Sequence, residues 1–143
     1  TEFTELWIPI EKTAAAMKKL KDWYDSQGLS ATGTYCCEIY AAKKNNFWLS
    51  PAYGKDVLRI DIFWYARNSG NPVRDYYPQF WNLLAEFDFR PHWGKYLPPP
   101  DSQQGVDYLK KLYPRWVDFM RLRQKHDPHQ VFLSGYWKNH LGL

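Results

Sequence analysis

Asp56-Val57-Leu58-Arg59-Ile60-Asp61-Ile62-Phe63-Trp64-Tyr65 is the stretch that decides the fold. Side chains alternate sides along a strand, so Leu58, Ile60, Ile62 and Trp64 fall on one face and Arg59, Asp61 and Phe63 on the other. Working outward, residues 3–10 read as a strand, with Leu6, Ile8 and Ile10 at alternate positions, and residues 33–42 as another. Between those two, Thr13 is placed to cap a helix whose Ala16, Leu20, Trp23 and Tyr24 recur at helical spacing. Gly28 ends it, with Lys18, Lys19 and Lys21 toward its electronegative C-terminal end. Asn68 to Pro72 is a turn by composition. A helix from about Arg74 to Phe87 then buries Tyr77, Phe80, Trp81 and Leu84. Two more helical stretches, about 103–112 and 114–126, present Leu109, Leu112, Trp116 and Phe119. Asp127-Pro128 stops the second, and a short tail closes the chain. The expected architecture is α+β: a small antiparallel sheet of about three strands covered on one side by helices, with a C-terminal helical segment. No repeat and no linker divides the chain, so residues 1–143 read as a single domain.

Composition narrows the function classes. Eight Trp, eleven Tyr and eight Phe supply large buried area, and their polar tips suit a site for hydroxylated ligands. No apolar run reaches the ~18 residues of a membrane-spanning helix. Nothing resembles a signal peptide, and the start at Thr1 fits a fragment or a processed product. The net charge of +4 is uneven: residues 107–143 hold seven Lys/Arg against three Asp/Glu. Lys110, Lys111, Arg115, Arg121, Arg123 and Lys125 could form a basic helical face for nucleic acid or an anionic membrane, although a solvated helix exterior is the commoner outcome. Cys36 and Cys37 are adjacent and point to opposite faces, which suits small buried filler in a reducing compartment. His126 and His129 are separated by a helix break, and no Cys/His/Glu cluster has metal spacing.

The donor-rich segment is Arg90-Pro91-His92-Trp93-Gly94-Lys95, followed by Pro98-Pro99-Pro100. A proline-bounded loop dense in donors suits the presentation of cations to an anionic centre. Upstream lie Phe47-Trp48-Leu49-Ser50-Pro51 and Tyr53-Gly54-Lys55-Asp56; downstream lie Tyr113-Pro114, Asp127-Pro128 and Phe132-Leu133-Ser134-Gly135-Tyr136. In this order and spacing the motifs resemble the C-terminal part of the vanillyl-alcohol-oxidase-type flavoproteins. The nearest branch is that of the sugar-lactone oxidases (D-arabinono-1,4-lactone oxidase, L-gulonolactone oxidase) and the alditol oxidases.

The resemblance implies a substrate-binding, or cap, domain of a larger FAD-dependent oxidase acting on a CH–OH group of a sugar lactone or polyol, with oxygen as acceptor. Its partners would be an N-terminal FAD-binding domain and a small hydroxylated substrate. No Gly-rich phosphate loop occurs in the chain, so the isolated chain is expected to be inactive. Lys95 matches the family's lysine at the reduced flavin's anionic edge, as a catalytic and cofactor-binding residue. His92 is a candidate donor to flavin or substrate. Glu38 matches the glutamate of a family Glu-x-Arg pair and is the second catalytic candidate, with a cross-strand ion pair to Arg59 as its structural alternative. Tyr40 stands where the family has arginine, so either the substrate preference differs or the cation comes from elsewhere, Lys43 being one source. Ser50 and Tyr136 match further motif positions and are substrate-binding candidates; no metal is implied. The expected location is cytoplasmic, with peripheral membrane association left open. The competing reading is a non-enzymatic module that binds nucleic acid through basic helices and exposed aromatics.

Overall fold

The computed structural model describes residues 2–28 and 34–143. Strand β1 (Glu2–Pro9) leads through a 3₁₀ turn into helix α1 (Thr13–Gln27), then β2 (Thr34–Ala42) and β3 (Val57–Trp64). A π turn at Pro72–Tyr76 opens helix α2 (Tyr77–Leu84), and a 3₁₀ turn at Ala85–Phe87 closes it. After β4 (Arg90–Pro91) come helices α3 (Val106–Leu112), α4 (Trp116–His126) and α5 (Gly135–Leu141). All strand pairs are antiparallel, in the order β2-β3-β1-β4.

The register sets the two faces of the sheet. Leu6 pairs with Ile60, Ile8 with Leu58, and Thr4 with Ile62. The apolar members of these pairs lie in the main core with Ala16 and Leu20 of α1 and Tyr77, Phe80, Trp81 and Leu84 of α2. The alternation in 56–65 therefore does what the sequence expects, and two helices cover its apolar side. One polar residue sits within that side. Thr4 is fully buried, donates to the Tyr96 carbonyl oxygen at 2.7 Å and accepts from Trp81 Nε1 at 3.1 Å. A second core joins Leu109, Tyr113, Trp116 and Leu141, with Leu49 and Trp93 packed against it.

Several expectations change. There are four strands among the described residues, because the first two residues of the donor-rich loop pair with Leu6 and Trp7 of β1. Two residues are too few for an alternation signal. Thr13 does not cap α1: it is the helix's first residue, and its hydroxyl donates back to Ile10 O at 2.6 Å. Gly28 does close α1, at φ 71°, with its N–H donating to Tyr24 O. Lys18 and Lys21 pair with Asp22 and Asp25 one turn on instead of serving the helix end. The terminal tail forms α5, capped by the Ser134 hydroxyl, which accepts from Trp137 N. Residue 33, the expected first residue of β2, lies outside the described residues. Both cysteines are free thiols, and burial pushes the Cys37 thiol up to about 12. No helix among the described residues is long and apolar enough to cross a membrane.

Candidate functional site

The two motif segments meet in space. Trp93 Nε1 donates to Leu49 O at 2.7 Å, and its ring packs on Tyr113, Trp116 and Trp137. Arg90 is 8% exposed and spends its guanidinium on carbonyl oxygens: Leu112 through Nε and Nη2, and Pro51 and Tyr53 through Nη1. It also lies over the Tyr113 ring at 4.9 Å. Arg90 and Trp93 are thus the clasp that fastens the Trp48–Tyr53 loop and α3 to β4. The clasp fixes the residues between and after them.

His92 follows β4, its N–H bonded to Glu5 O at 3.0 Å. Its Nδ1 accepts from Gly94 N at 3.0 Å, which leaves Nε2 as the ring's free donor position. A Cβ on Gly94 would come 3.2 Å from His92 Cε1, so glycine permits this tight fold-back. The turn brings Lys95 Nζ over the Phe3 ring, 4.1 Å from its centroid. No ion pair engages Lys95 among the described residues. Lys95 and Tyr136 line one cavity of about 460 Å³ together with Glu2, Phe3, Gly94 and Tyr96. Tyr136 stacks on His140 with centroids 4.2 Å apart.

Phe3 alternates with Leu6 and Ile8, so it belongs to the second, polar face of the sheet, with Glu5 and Trp7. Phe3 stacks on Phe63 there at 4.7 Å. One step along, three carboxyl residues stand in register across three strands: Glu38 beside Asp61, and Asp61 beside Glu5. At about 4.8 Å per strand the row spans roughly 10 Å, the scale of a small hydroxylated molecule. Glu5 and Asp61 are 3% and 2% exposed. Glu5 accepts from Trp7 Nε1 at 2.6 Å, and Asp61 accepts from Arg59 Nη2 at 3.1 Å. Asp61 Oδ1 is buried with no donor. Burial and the neighbouring Glu5 charge, only partly offset by Arg59, push the Asp61 carboxyl up to about 6.

The next row pairs Tyr40 with Arg59, and Arg59 with Trp7. Tyr40 is half exposed and donates to Glu38 Oε2 at 3.2 Å, and the Glu38 charge raises its phenol above the ordinary value. Glu38 therefore has Tyr40 as its hydrogen-bond partner, and Arg59 pairs with Asp61 and, at 3.8 Å, with Glu5. The alternative considered for Glu38, an ion pair with Arg59, does not form among the described residues. Lys43 is paired with Asp56 at 3.0 Å and contributes no cation here.

The structure thus gathers Glu38, Tyr40 and Lys95 on one sheet face, with His92 at its β4 edge and Tyr136 beside Lys95. Ser50 is not brought to that face by any contact: its hydroxyl accepts from Asn45 Nδ2 at 2.9 Å and from Ala52 N at 3.2 Å within its own loop. Glu5, Asp61 and Arg59 were missing from the sequence-derived site. Their signal was the run of charged residues at alternate positions of β1 and β3, but only the register shows that they adjoin Glu38. Asp127 holds the Asp127–Phe132 turn by accepting from Val131 N and Phe132 N. Next to it an apolar pocket of about 460 Å³ lies between Trp93, Phe119, Phe132 and Trp137. Tyr113, Trp93 and Trp116 are packed into or against the second core, whereas the half-buried Trp48 lies 4.6 Å from the Arg115 guanidinium. No group of three metal-ligating side chains occurs among the described residues.

The family model for D-arabinono-1,4-lactone oxidase matches residues 3–140. L-gulonolactone oxidase of Scyliorhinus torazame is 30% identical over 130 residues, covering 90% of this chain and 28% of that protein. L-gulono-1,4-lactone dehydrogenase of Mycobacterium tuberculosis is 30% identical over 142 residues, covering 98% of this chain and 31% of its own length. Alditol oxidase of a Streptomyces species is 28% identical over 103 residues, 72% of this chain and 23% of that protein. The chain spans less than a third of the length of these relatives. It belongs to the D-arabinono-1,4-lactone oxidase family of oxidoreductases.

Proposed function

We propose that this chain is the substrate-binding part of an FAD-dependent oxidoreductase that oxidises a CH–OH group of a sugar lactone or polyol, with oxygen as electron acceptor. The observation that carries the reading is the placement of Glu38 and Lys95 on one sheet face by two motif segments clasped through Arg90 and Trp93. The donor set suits a flavin ring edge: an ammonium without a carboxylate partner among the described residues, above an aromatic ring and beside a cavity that Tyr136 also lines. When bound, the flavin would supply the hydride acceptor.

The chain's own residues would do the rest. Lys95 holds a fixed positive charge where negative charge develops, and such a preorganised cation is worth most in a dry site. His92 Nε2 would orient the ligand at the β4 edge. Glu38, at the other edge, is the candidate acceptor for the hydroxyl proton, with Tyr40 holding its carboxylate in place. The phosphates and most of the cofactor would be held by an N-terminal FAD-binding domain, so this chain alone would neither bind FAD tightly nor turn over an alcohol. Cytoplasmic location belongs to the same reading.

The test is purification of the intact protein. A yellow flavoprotein whose colour bleaches anaerobically with a lactone or polyol, and returns on admitting oxygen with formation of hydrogen peroxide, supports every part. Return of colour only with an artificial acceptor would replace oxidase by dehydrogenase. A colourless intact protein that does not take up FAD would end the reading. So would tight FAD binding by residues 1–143 alone, for the division of labour.

A further inference from the structure

We infer that Arg59 is the substrate-contacting cation of the polar face, acting with Tyr40 and Glu38 on a neutral, polyhydroxylated ring. The inference rests on the oxidoreductase reading and adds a residue that the motif match does not include.

The argument starts from two arginines on the same face, with Trp7 between them in register. Arg90 is spent: its three nitrogens meet carbonyl oxygens, and it is 8% exposed. Arg59 is anchored but not spent. A guanidinium carries five N–H donors, and the hydrogen bond formed here is the one from Nη2 to Asp61. Glu5 adds charge at 3.8 Å, Nε is buried without an acceptor, and 30% of the side chain remains exposed. The Tyr40 ring lies 4.5 Å from the guanidinium carbon. Arg59 is thus fixed on one side by carboxylates and on another by an aromatic face, and since Nε is buried, the donors it can offer a ligand on the face that carries Glu38 are those of Nη1 and the second N–H of Nη2. A side chain held this way loses little further freedom on binding a ligand.

The position bears on the missing family arginine. Tyr40 occupies that place on β2, and its register partner on the adjacent strand is Arg59. The cation has moved about one strand spacing sideways without leaving the face. The charges around it decide what it can take. Glu5, Asp61 and Glu38 all stand in the adjoining row, and Lys95 lies beyond Phe3. An anionic ligand at Arg59 would feel three carboxyl groups, two of them enclosed beneath the surface, whereas a ring of hydroxyls can donate to the more open Glu38 and accept from the guanidinium. A lactone or polyol fits; the open-chain aldonate does not.

The experiment uses the intact flavoprotein with Arg59→Lys and Arg59→Met. Lysine keeps the charge beside Asp61 and Glu5 but loses the fork, so a purely structural arginine predicts near-native turnover for Arg59→Lys. A substrate-contacting arginine predicts a drop in kcat/KM of roughly tenfold or more for lysine and roughly a hundredfold for methionine. Calorimetry on the flavin-free intact protein should show lactone affinity weakened in parallel, with the Tm of Arg59→Lys close to native. Native kcat/KM and lactone affinity in Arg59→Lys would overturn the inference and leave the oxidoreductase reading standing. Native protein whose flavin no lactone or polyol reduces would bring down that reading itself. Aldonate binding as tight as lactone binding would overturn the choice of a neutral ligand.

Discussion

The two faces of the central sheet are built from the same strands and reach similar burial by opposite chemistry. On one face Leu6, Ile8, Ile60 and Ile62 are fully buried under α1 and α2. On the other, Glu5 and Asp61 are almost as deeply enclosed. Apolar burial stabilises by about 25 cal/mol per Å², whereas enclosing a carboxylate costs free energy unless it is paired. The polar face departs from that rule: Asp61 is pushed up to about 6 and keeps a buried oxygen without a donor. A sheet that holds its fold with one face can tolerate strain on the other, and a carboxyl shifted by burial and a neighbouring charge marks that face as a candidate working surface.

The sharpest break of this comparison comes from cutting each face at one residue. Phe80→Ala on the covered face should destabilise the protein by about 3–5 kcal/mol, because a fully buried ring leaves a cavity in the core shared with Ile60 and Trp81 that the sheet cannot close. Urea unfolding of the intact protein checks this, and a loss under about 1 kcal/mol would mean that α2 does not seal the core. On the polar face the loss should appear in rate instead. Lys95→Met should slow flavin reduction by roughly 10²-fold, the scale for losing one preorganised donor, with the unfolding midpoint little changed. Unchanged stopped-flow reduction would return Lys95 to the role of a loop cation packed on Phe3.

Where the faces were legible follows from how each leaves its mark. The ten residues 56–65 show both faces at once, since alternation is a local property of one strand, and the helical spacing of Tyr77, Phe80, Trp81 and Leu84 is local in the same way. The motif residues Glu38 and Lys95 could be picked out as site candidates from the chain alone, and the structure places both on the polar face. Arg59, Asp61 and Glu5 were hidden because their meaning lies in cross-strand register, which no spacing along the chain encodes. The roles of Arg90 and Trp93 as a clasp were hidden for the same reason, their partners being up to 44 residues away. β4 escaped because two residues show no period, and Thr13 because a hydroxyl near a helix start can bond backward as easily as forward.

Thr4 sharpens the comparison by linking the faces. It sits in the apolar layer, yet its hydroxyl joins Trp81 Nε1 to the carbonyl of Tyr96, the residue after Lys95. Thr4→Val keeps the shape and deletes both bonds, leaving a buried indole N–H and a carbonyl unsatisfied. The expected cost is about 2 kcal/mol. A structural role confined to the core predicts lost stability alone. A link to the loop predicts, in addition, faster amide exchange at Lys95 and Tyr96 under native conditions, and unchanged exchange there would separate the two faces again.

The smallest effect concerns pH, and it belongs to Asp61 alone. Its carboxyl lies at about 6 in the folded protein against an ordinary 3.8, raised first by burial and then by the Glu5 charge. A raised folded value means that the folded state holds the proton more tightly than the unfolded chain. The group's stabilising contribution is therefore complete below about pH 4 and is lost as pH rises through about 6. The side chain introduced by Asp61→Asn does not titrate, and its amide could donate toward Glu5, so the substitution should remove this loss. The attraction of Arg59, 3.1 Å away, already opposes the rise and is contained in the value of about 6. The net shift is on the order of 1 kcal/mol in favour of Asp61→Asn, developing between about pH 4 and 6 and flat beyond. Unfolding midpoints of both proteins across roughly pH 3.5–8 measure it, a range that brackets the folded and unfolded values. Parallel curves would show that Asp61 titrates alike in the folded and unfolded states, and a wild-type advantage growing with pH would show an ordinary ion pair with Arg59; in either case the two faces of the sheet would differ in polarity but not in strain.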